Sequence, residues 1–147
     1  MVKLSSLIIL LLIGISTKKF KNETDCTLSV ELSNFRNNKG KLYIFIYNYK
    51  NQFPDNPYKY FEVDKFNVRN SRMLVNLPKI PKGKYAISIL DDENSNEDLD
   101  RFLGIPTEGY GFSNNIRPLF SLPDYEDLVF DLNMKHQKLN LKLQYTL

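Results

Sequence analysis

Asp92, Asn94, Asn96 and Asp100 stand in the order D-x-N-x-N-x-x-x-D, with Asp98 inside the run. Alternate side chains of a tight loop turn inward, so oxygen ligands at every second position can wrap a hard cation. Calcium takes about six to eight such oxygens, and this run holds most of a set. Asp91 before it and Glu108 after it are candidates for the remaining ligands. The pattern departs from an EF-hand-like loop in two places. Glu97 occupies the sixth position, where a sharp turn favours Gly, and Leu103 the twelfth, where a bidentate Glu is usual. No Cys or His lies nearby, which argues against zinc. The competing reading is a solvated acidic turn whose carboxylates are spread by water.

A second candidate site follows directly. Gly104-Ile105-Pro106-Thr107-Glu108-Gly109-Tyr110-Gly111-Phe112-Ser113-Asn114-Asn115 carries almost no charge. Long ordered connections are usually functional or pinned by their own side chains. Tyr110, Phe112, Asn114 and Asn115 would form a shallow surface with an aromatic floor, suited to carbohydrate or extended peptide. Alternatively, Tyr110 and Phe112 cap the open end of a sandwich. A metal-assisted hydrolase built on Asp92 and Glu108 is a third reading.

Other catalytic patterns are missing. His136 is the sole histidine, placed by the pattern in a turn between lysines with no acid to hold it as a base. Cys26 is the sole cysteine, so it forms no internal disulfide. No Gly-rich phosphate loop precedes a helix. The expectation is a protein without catalytic activity.

Strands must position these residues. Leu28, Val30 and Leu32 alternate with polar neighbours, and Leu42 to Tyr47 is apolar on both faces, as in a central strand. Further strands are expected near Tyr60–Val68, Met73–Leu77, Tyr85–Ile89, Leu128–Leu132 and Leu139–Tyr145, with Asn133–Lys138 as a hairpin turn between the last two. About seven short strands separated by turn signals, with no useful helical period, fit an all-β, antiparallel, immunoglobulin-like or transthyretin-like sandwich. The Leu77-Pro78 to Tyr85 stretch, L-P-x-x-P-x-G-x-Y, resembles the turn of transthyretin-like domains whose Tyr packs at the sandwich end.

At 147 residues the length fits one domain with a real core, and 42% of residues are hydrophobic. The net charge is +3; setting aside the six carboxylates of residues 91–100 leaves 11 acidic against 20 basic residues. These cations are scattered singly between apolar residues, and no nucleic-acid motif accompanies them, so nucleic-acid binding is not expected. Lys3 and the apolar run Leu4–Ile15 fit a secretory signal over residues 1–16, too short for a comfortable membrane span, with an uncleaved anchor as the alternative. Residues 17–25 read as a linker, and 26–147 as a single sandwich domain. The protein is expected to be exported: periplasmic, outer-membrane-associated or secreted.

The acidic run joined to G-I-P-x-E-G-Y-G-F-S-N-N, with Gly40-Lys41-Leu42 through Tyr47 and the Phe53-Pro54-Asp55 turn, resembles the bacterial family known as domain of unknown function 2141. The resemblance covers about Cys26 to Tyr145 and implies a small exported β-sandwich with no established biochemical function. Asp91 stands where that family usually has His, Glu97 replaces a Gly, and the loop is one residue shorter after Asp100. The resemblance is compatible with a structural or interaction module whose partner is an envelope protein or glycan.

Overall fold

The computed structural model describes residues 25–118 and 121–146. The expected signal segment 1–16 and the linker up to residue 24 lie outside the described residues. Eleven strands run through the described chain: β1 (Asp25–Ser33), β2 (Lys41–Tyr47), β3 (Lys59–Asp64), β4 (Arg72–Asn76), β5 (Ile80–Pro81), β6 (Gly83–Asp92), β7 (Arg101–Phe102), β8 (Ile105–Pro106), β9 (Gly109–Phe112), β10 (Phe130–Leu132) and β11 (His136–Lys142). The only α-helix among them is one turn, α1 (Tyr125–Leu128).

Two sheets face each other. One has the order β11-β1-β4, with β5 extending the β4 side of β1; the other has the order β10-β6-β2-β3, with β9 also on β6. The period-two alternation of β1 buries Cys26, Leu28, Val30 and Leu32, which meet Ile44, Ile46, Ile87 and Ile89 of the opposing sheet. The chain is an all-β sandwich, as its pattern implies. Among the described residues every ladder is antiparallel except one: β1 and β11 run parallel, with Val30 opposite Leu139 and Leu32 opposite Leu141.

The seven expected strands correspond to β1, β2, β3, β4, β6, β10 and β11; the four added ones are short. The last two do not form the expected hairpin. β10 pairs with β6 and β11 with β1, so residues 133–135 carry the chain from one sheet to the other. His136 accordingly opens a strand instead of sitting in a turn.

β2 is indeed interior to its sheet, and both its faces are covered. Its outer face joins a second cluster in which Tyr47, Ala86, Phe112 and Leu128 are buried, with Phe53 and Tyr125 packed on them. Tyr85 donates its hydroxyl to the Pro81 carbonyl at 2.9 Å, the tyrosine-corner contact that pins this sandwich end. No helix among the described residues is long and apolar enough to cross a membrane.

Candidate functional site

β6 ends at Asp92, and the acidic loop leaves from there. Along β6, Tyr85, Ile87, Ile89 and Asp91 face the core between the sheets, and Asp92 faces the other way. Gly40, at φ +72, lets the β1–β2 connection pass close by: a Cβ there would come within 1.9 Å of the Asp92 carbonyl oxygen.

Asp92 is buried, and its carboxylate organises the turn. Oδ1 accepts the N–H groups of Ser95 at 2.7 Å and Asn96 at 3.2 Å, and Oδ2 accepts that of Glu97 at 2.9 Å. These bonds hold Ser95 at φ 62 and Glu97 at φ 66. The left-handed turn expected to need Gly is therefore made by Glu97. Its steric cost, about 1–2 kcal/mol, is offset by charge-assisted hydrogen bonds.

Asn94 and Asn96 donate from Nδ2 to the two oxygens of Asp100, at 2.5 and 2.9 Å. Their own Oδ1 atoms accept the N–H groups of Asn96 and Asp98, each at 3.0 Å. Glu108 reaches in from β9's side. Its Oε1 accepts the Glu93 N–H at 2.8 Å and its Oε2 the Asp100 N–H at 3.2 Å. Burial pushes the Glu108 carboxyl above its ordinary value, and these two N–H groups pull it partway back.

Asp92, Asn94, Asn96, Asp100 and Glu108 are thus brought into one hydrogen-bonded cluster. Asp98 stays exposed, its carboxylate accepting the Leu99 N–H at 2.7 Å. Asp91, expected as an extra ligand, is not in the loop at all. It lies fully buried on the core side, ion-paired with Lys65 and accepting the Tyr145 hydroxyl at 2.5 Å. Among the described residues, no three carboxylate, imidazole or thiol groups converge on a point that would hold a metal ion.

The Lys65–Asp91–Tyr145 cluster is not evident from the motifs. The signal was the register of β6, since the alternation of Tyr85, Ile87 and Ile89 continues to Asp91 and demands a buried partner. Burial pushes Asp91 above the usual carboxylate range, against the pull of Lys65 and Tyr145. Burial, together with the hydrogen bond to Asp91, pushes the Tyr145 phenol well up. The Arg36 guanidinium lies 4.3 Å over the Tyr145 ring and pairs with Glu93 at 2.7 Å, covering this end of the core.

The aromatic block is a strand, not a free connection. β9 pairs with β6, and Tyr110 exchanges backbone hydrogen bonds with Gln144 at 3.0 and 2.7 Å, stitching the two sheets together. Phe112 is buried in the second cluster, so it is no part of an exposed floor. Tyr110 is half-buried with its ring 6.0 Å from that of Phe112, and its hydroxyl meets Thr146 at 3.2 Å. Asn114, at φ 59, donates to the carbonyls of Asp127 at 2.8 Å and Val129 at 3.0 Å. Asn115 acts as a surrogate strand for β11, donating to the Asn140 carbonyl at 2.9 Å and accepting the Lys142 N–H at 2.8 Å. Of the four residues expected to form the binding surface, Phe112 is core and the two asparagines are committed to backbone.

Fold and site together define a small β-sandwich whose acidic loop and Gly-aromatic strand fasten one end and one side. The bacterial family described as "Uncharacterized protein conserved in bacteria (DUF2141)" matches residues 30–140, and the chain belongs to that family. No curated protein and no solved structure matches it.

Proposed function

We propose that the chain is a non-catalytic structural module of the bacterial cell envelope, exported to the periplasm or beyond, whose acidic loop clasps one end of the sandwich. One observation carries this reading. The two carboxylates best placed for chemistry, Asp92 and Glu108, hold five backbone N–H groups of their own loop. A hydrolase needs such oxygens for a metal or a water, whereas here they shape the chain. A calcium ion would have to share Asp92 with the turn it already supports. The envelope location rests on the leader-like pattern of residues 1–16 and on the bacterial family. The test is calcium calorimetry and thermal melts of the exported domain in calcium and in EDTA, beside Asp92→Ala. The expected result is no saturable heat and a melting temperature lowered equally in both buffers. Saturable binding that raises the melting temperature and is lost in Asp92→Ala would replace this reading with a calcium clasp.

A groove favours a second reading, binding of an anionic glycan. Two adjoining hollows of about 340 and 350 Å³ share Asn34 and Lys142. Arg117 lines one and Arg72 the other, and no carboxylate lines either. Asn115, expected at a binding surface, does reach this groove. Three cations among amide and hydroxyl groups suit a hydroxyl-rich anion. Uronate-bearing oligosaccharides should bind, neutral ones should not, and Lys142→Glu should abolish the difference; equal binding of both would end this reading.

A further inference from the structure

We propose that Lys65 and Asp91 condense into an intramolecular isopeptide bond, which cross-links the segment after β3 to the end of β6. Both side chains are fully buried, and the ammonium of Lys65 is in contact with Asp91 Oδ1. Apart from that ammonium, Oδ1 has no hydrogen-bond partner among the described residues. The groups that touch the pair are apolar or neutral: the Phe35 ring lies 5.7 Å from Lys65 Nζ, the Tyr145 hydroxyl meets Asp91 Oδ2 at 2.5 Å, and Asn37 Oδ1 sits 3.4 Å from Nζ; the mutually paired Arg36 and Glu93 charges lie one layer out, across the Tyr145 ring. The pair is sealed from solvent and lines neither groove, so it serves no external ligand.

The chemistry follows from that placement. A nucleophile and an electrophile held in contact react as if at very high concentration. A buried ion pair is poorly compensated for the water it has lost, and conversion to a neutral amide relieves that cost. The Nζ lone pair, released as the ammonium gives a proton to Oδ1, attacks Asp91 Cγ. Charge develops on Oδ2, where the Tyr145 hydroxyl already donates, as an oxyanion-stabilising group must. A second proton passes from nitrogen to Oδ1, the Cγ–Oδ1 bond breaks, and water leaves. One N–C bond forms, one C–O bond breaks, and the ammonium and carboxylate become one amide and one water with no redox change. The product closes the chain between residues 65 and 91 covalently, which restricts the unfolded state as a disulfide would. The sole cysteine, Cys26, cannot supply that restriction.

The test is made on the folded full chain, its folding checked by circular dichroism and its N-terminus read from the terminal peptide. Intact mass is measured after denaturation, and tryptic peptides are sequenced by fragmentation. The expected mass is one water molecule below that calculated. A single branched peptide should join the segments containing Lys65 and Asp91, and trypsin should not cut after Lys65. Tyr145→Phe, which keeps the ring, should show a smaller cross-linked fraction at equal times after folding. A folded wild-type chain of unmodified mass that is cleaved after Lys65 overturns the proposal. So does a water deficit carried by an unbranched peptide, the signature of a cyclised aspartate. An unchanged cross-linked fraction in Tyr145→Phe overturns the role given to that hydroxyl.

Discussion

Asp91 and Asp92 are adjacent in β6 and point to opposite faces of the sheet, one to a side-chain cation and the other to backbone N–H groups. Asp91 meets Lys65 and Tyr145 inside the core. Asp92 meets Ser95, Asn96 and Glu97 at the head of the loop. Glu93, the next residue, turns to Arg36 at 2.7 Å and Asn37 at 2.7 Å. The acidic run is therefore not one electrostatic unit. Three consecutive carboxylates fasten three different parts of the chain, which accounts for their concentration at a strand end.

Asp92→Ala strips the acceptor from the Ser95 and Glu97 N–H groups and leaves Asn96 with Asn94 Oδ1 alone. The donors belong to exposed residues, so the cost is that of losing charge-assisted hydrogen bonds, about 1.5–3 kcal/mol. For a domain of this size that lowers the melting temperature by roughly 2–4 °C per kcal/mol. Asp92→Asn keeps one carbonyl oxygen and should fall between the two. Differential scanning calorimetry of the three proteins orders them, and a wild-type melting temperature in Asp92→Ala would show that the loop contributes nothing to the fold.

Gly109→Ala and Gly104→Ala separate a packing requirement from a backbone one. A Cβ at Gly109 would lie 2.5 Å from Tyr145 Cε1 and 2.9 Å from Asp91 Cβ. Forcing that ring aside costs about 1–3 kcal/mol and disturbs the Lys65 pair. At Gly104 the φ is +81 and a Cβ meets nothing, so only the left-handed backbone, about 1–2 kcal/mol, opposes Ala. Urea titrations should find a further signature in Gly109→Ala alone, a shifted near-ultraviolet signal from Tyr145.

Much of this was legible. Alternation in β1, the two-sided β2 and the Pro-Gly-Tyr entry to β6 point to a sandwich because burial on a pleat repeats every second residue. The Asp92 turn was legible as a set of side chains converging on one loop, since Asx-type bonding follows local spacing. The fate of Asp91 was not, because its partner Lys65 is remote in sequence and looks like any surface lysine. The same holds for Tyr145, which the clean alternation of β11 seemed to extend; the strand ends at Lys142, and Tyr145 folds across the core end. Gly109–Phe112 looked like loop because two glycines suppress strand propensity, yet β9 needs Gly109 to lie against Tyr145, while a Cβ at Gly111 would make only ordinary contact with Ile89 at 3.6 Å.

Acid should favour the fold through Glu108. Its folded pKa is raised above the ordinary value of 4.5 by burial. A group with a raised folded value binds its proton more readily in the native state, so its contribution to stability is fully present below the ordinary value and is lost as pH rises through the raised one. Glu108→Gln removes that titration. Wild type should therefore gain stability relative to Glu108→Gln as pH falls from neutrality towards 4.5, measured as the gap between their denaturation midpoints. A gap that narrows on acidification would mean that the Glu93 and Asp100 N–H bonds outweigh burial.

Phe112 decides between a ligand floor and a second core. Its ring packs edge-on 6.4 Å from Phe53 and 6.0 Å from Tyr110, in the cluster that holds Tyr47 and Leu128. Removing a buried aromatic costs about 3–5 kcal/mol, because neighbours only partly collapse into the space. An exposed contact residue would change stability by no more than about 0.5 kcal/mol. Asn114→Ala is the companion change, losing two hydrogen bonds to carbonyls and straining a positive φ. Asn114→Gly loses the same bonds without the strain, and should be the milder of the two. Guanidinium unfolding should rank Phe112→Ala the most damaging, then Asn114→Ala, then Asn114→Gly. A near-neutral Phe112→Ala would return the ring to the surface and reopen the aromatic block as a binding site.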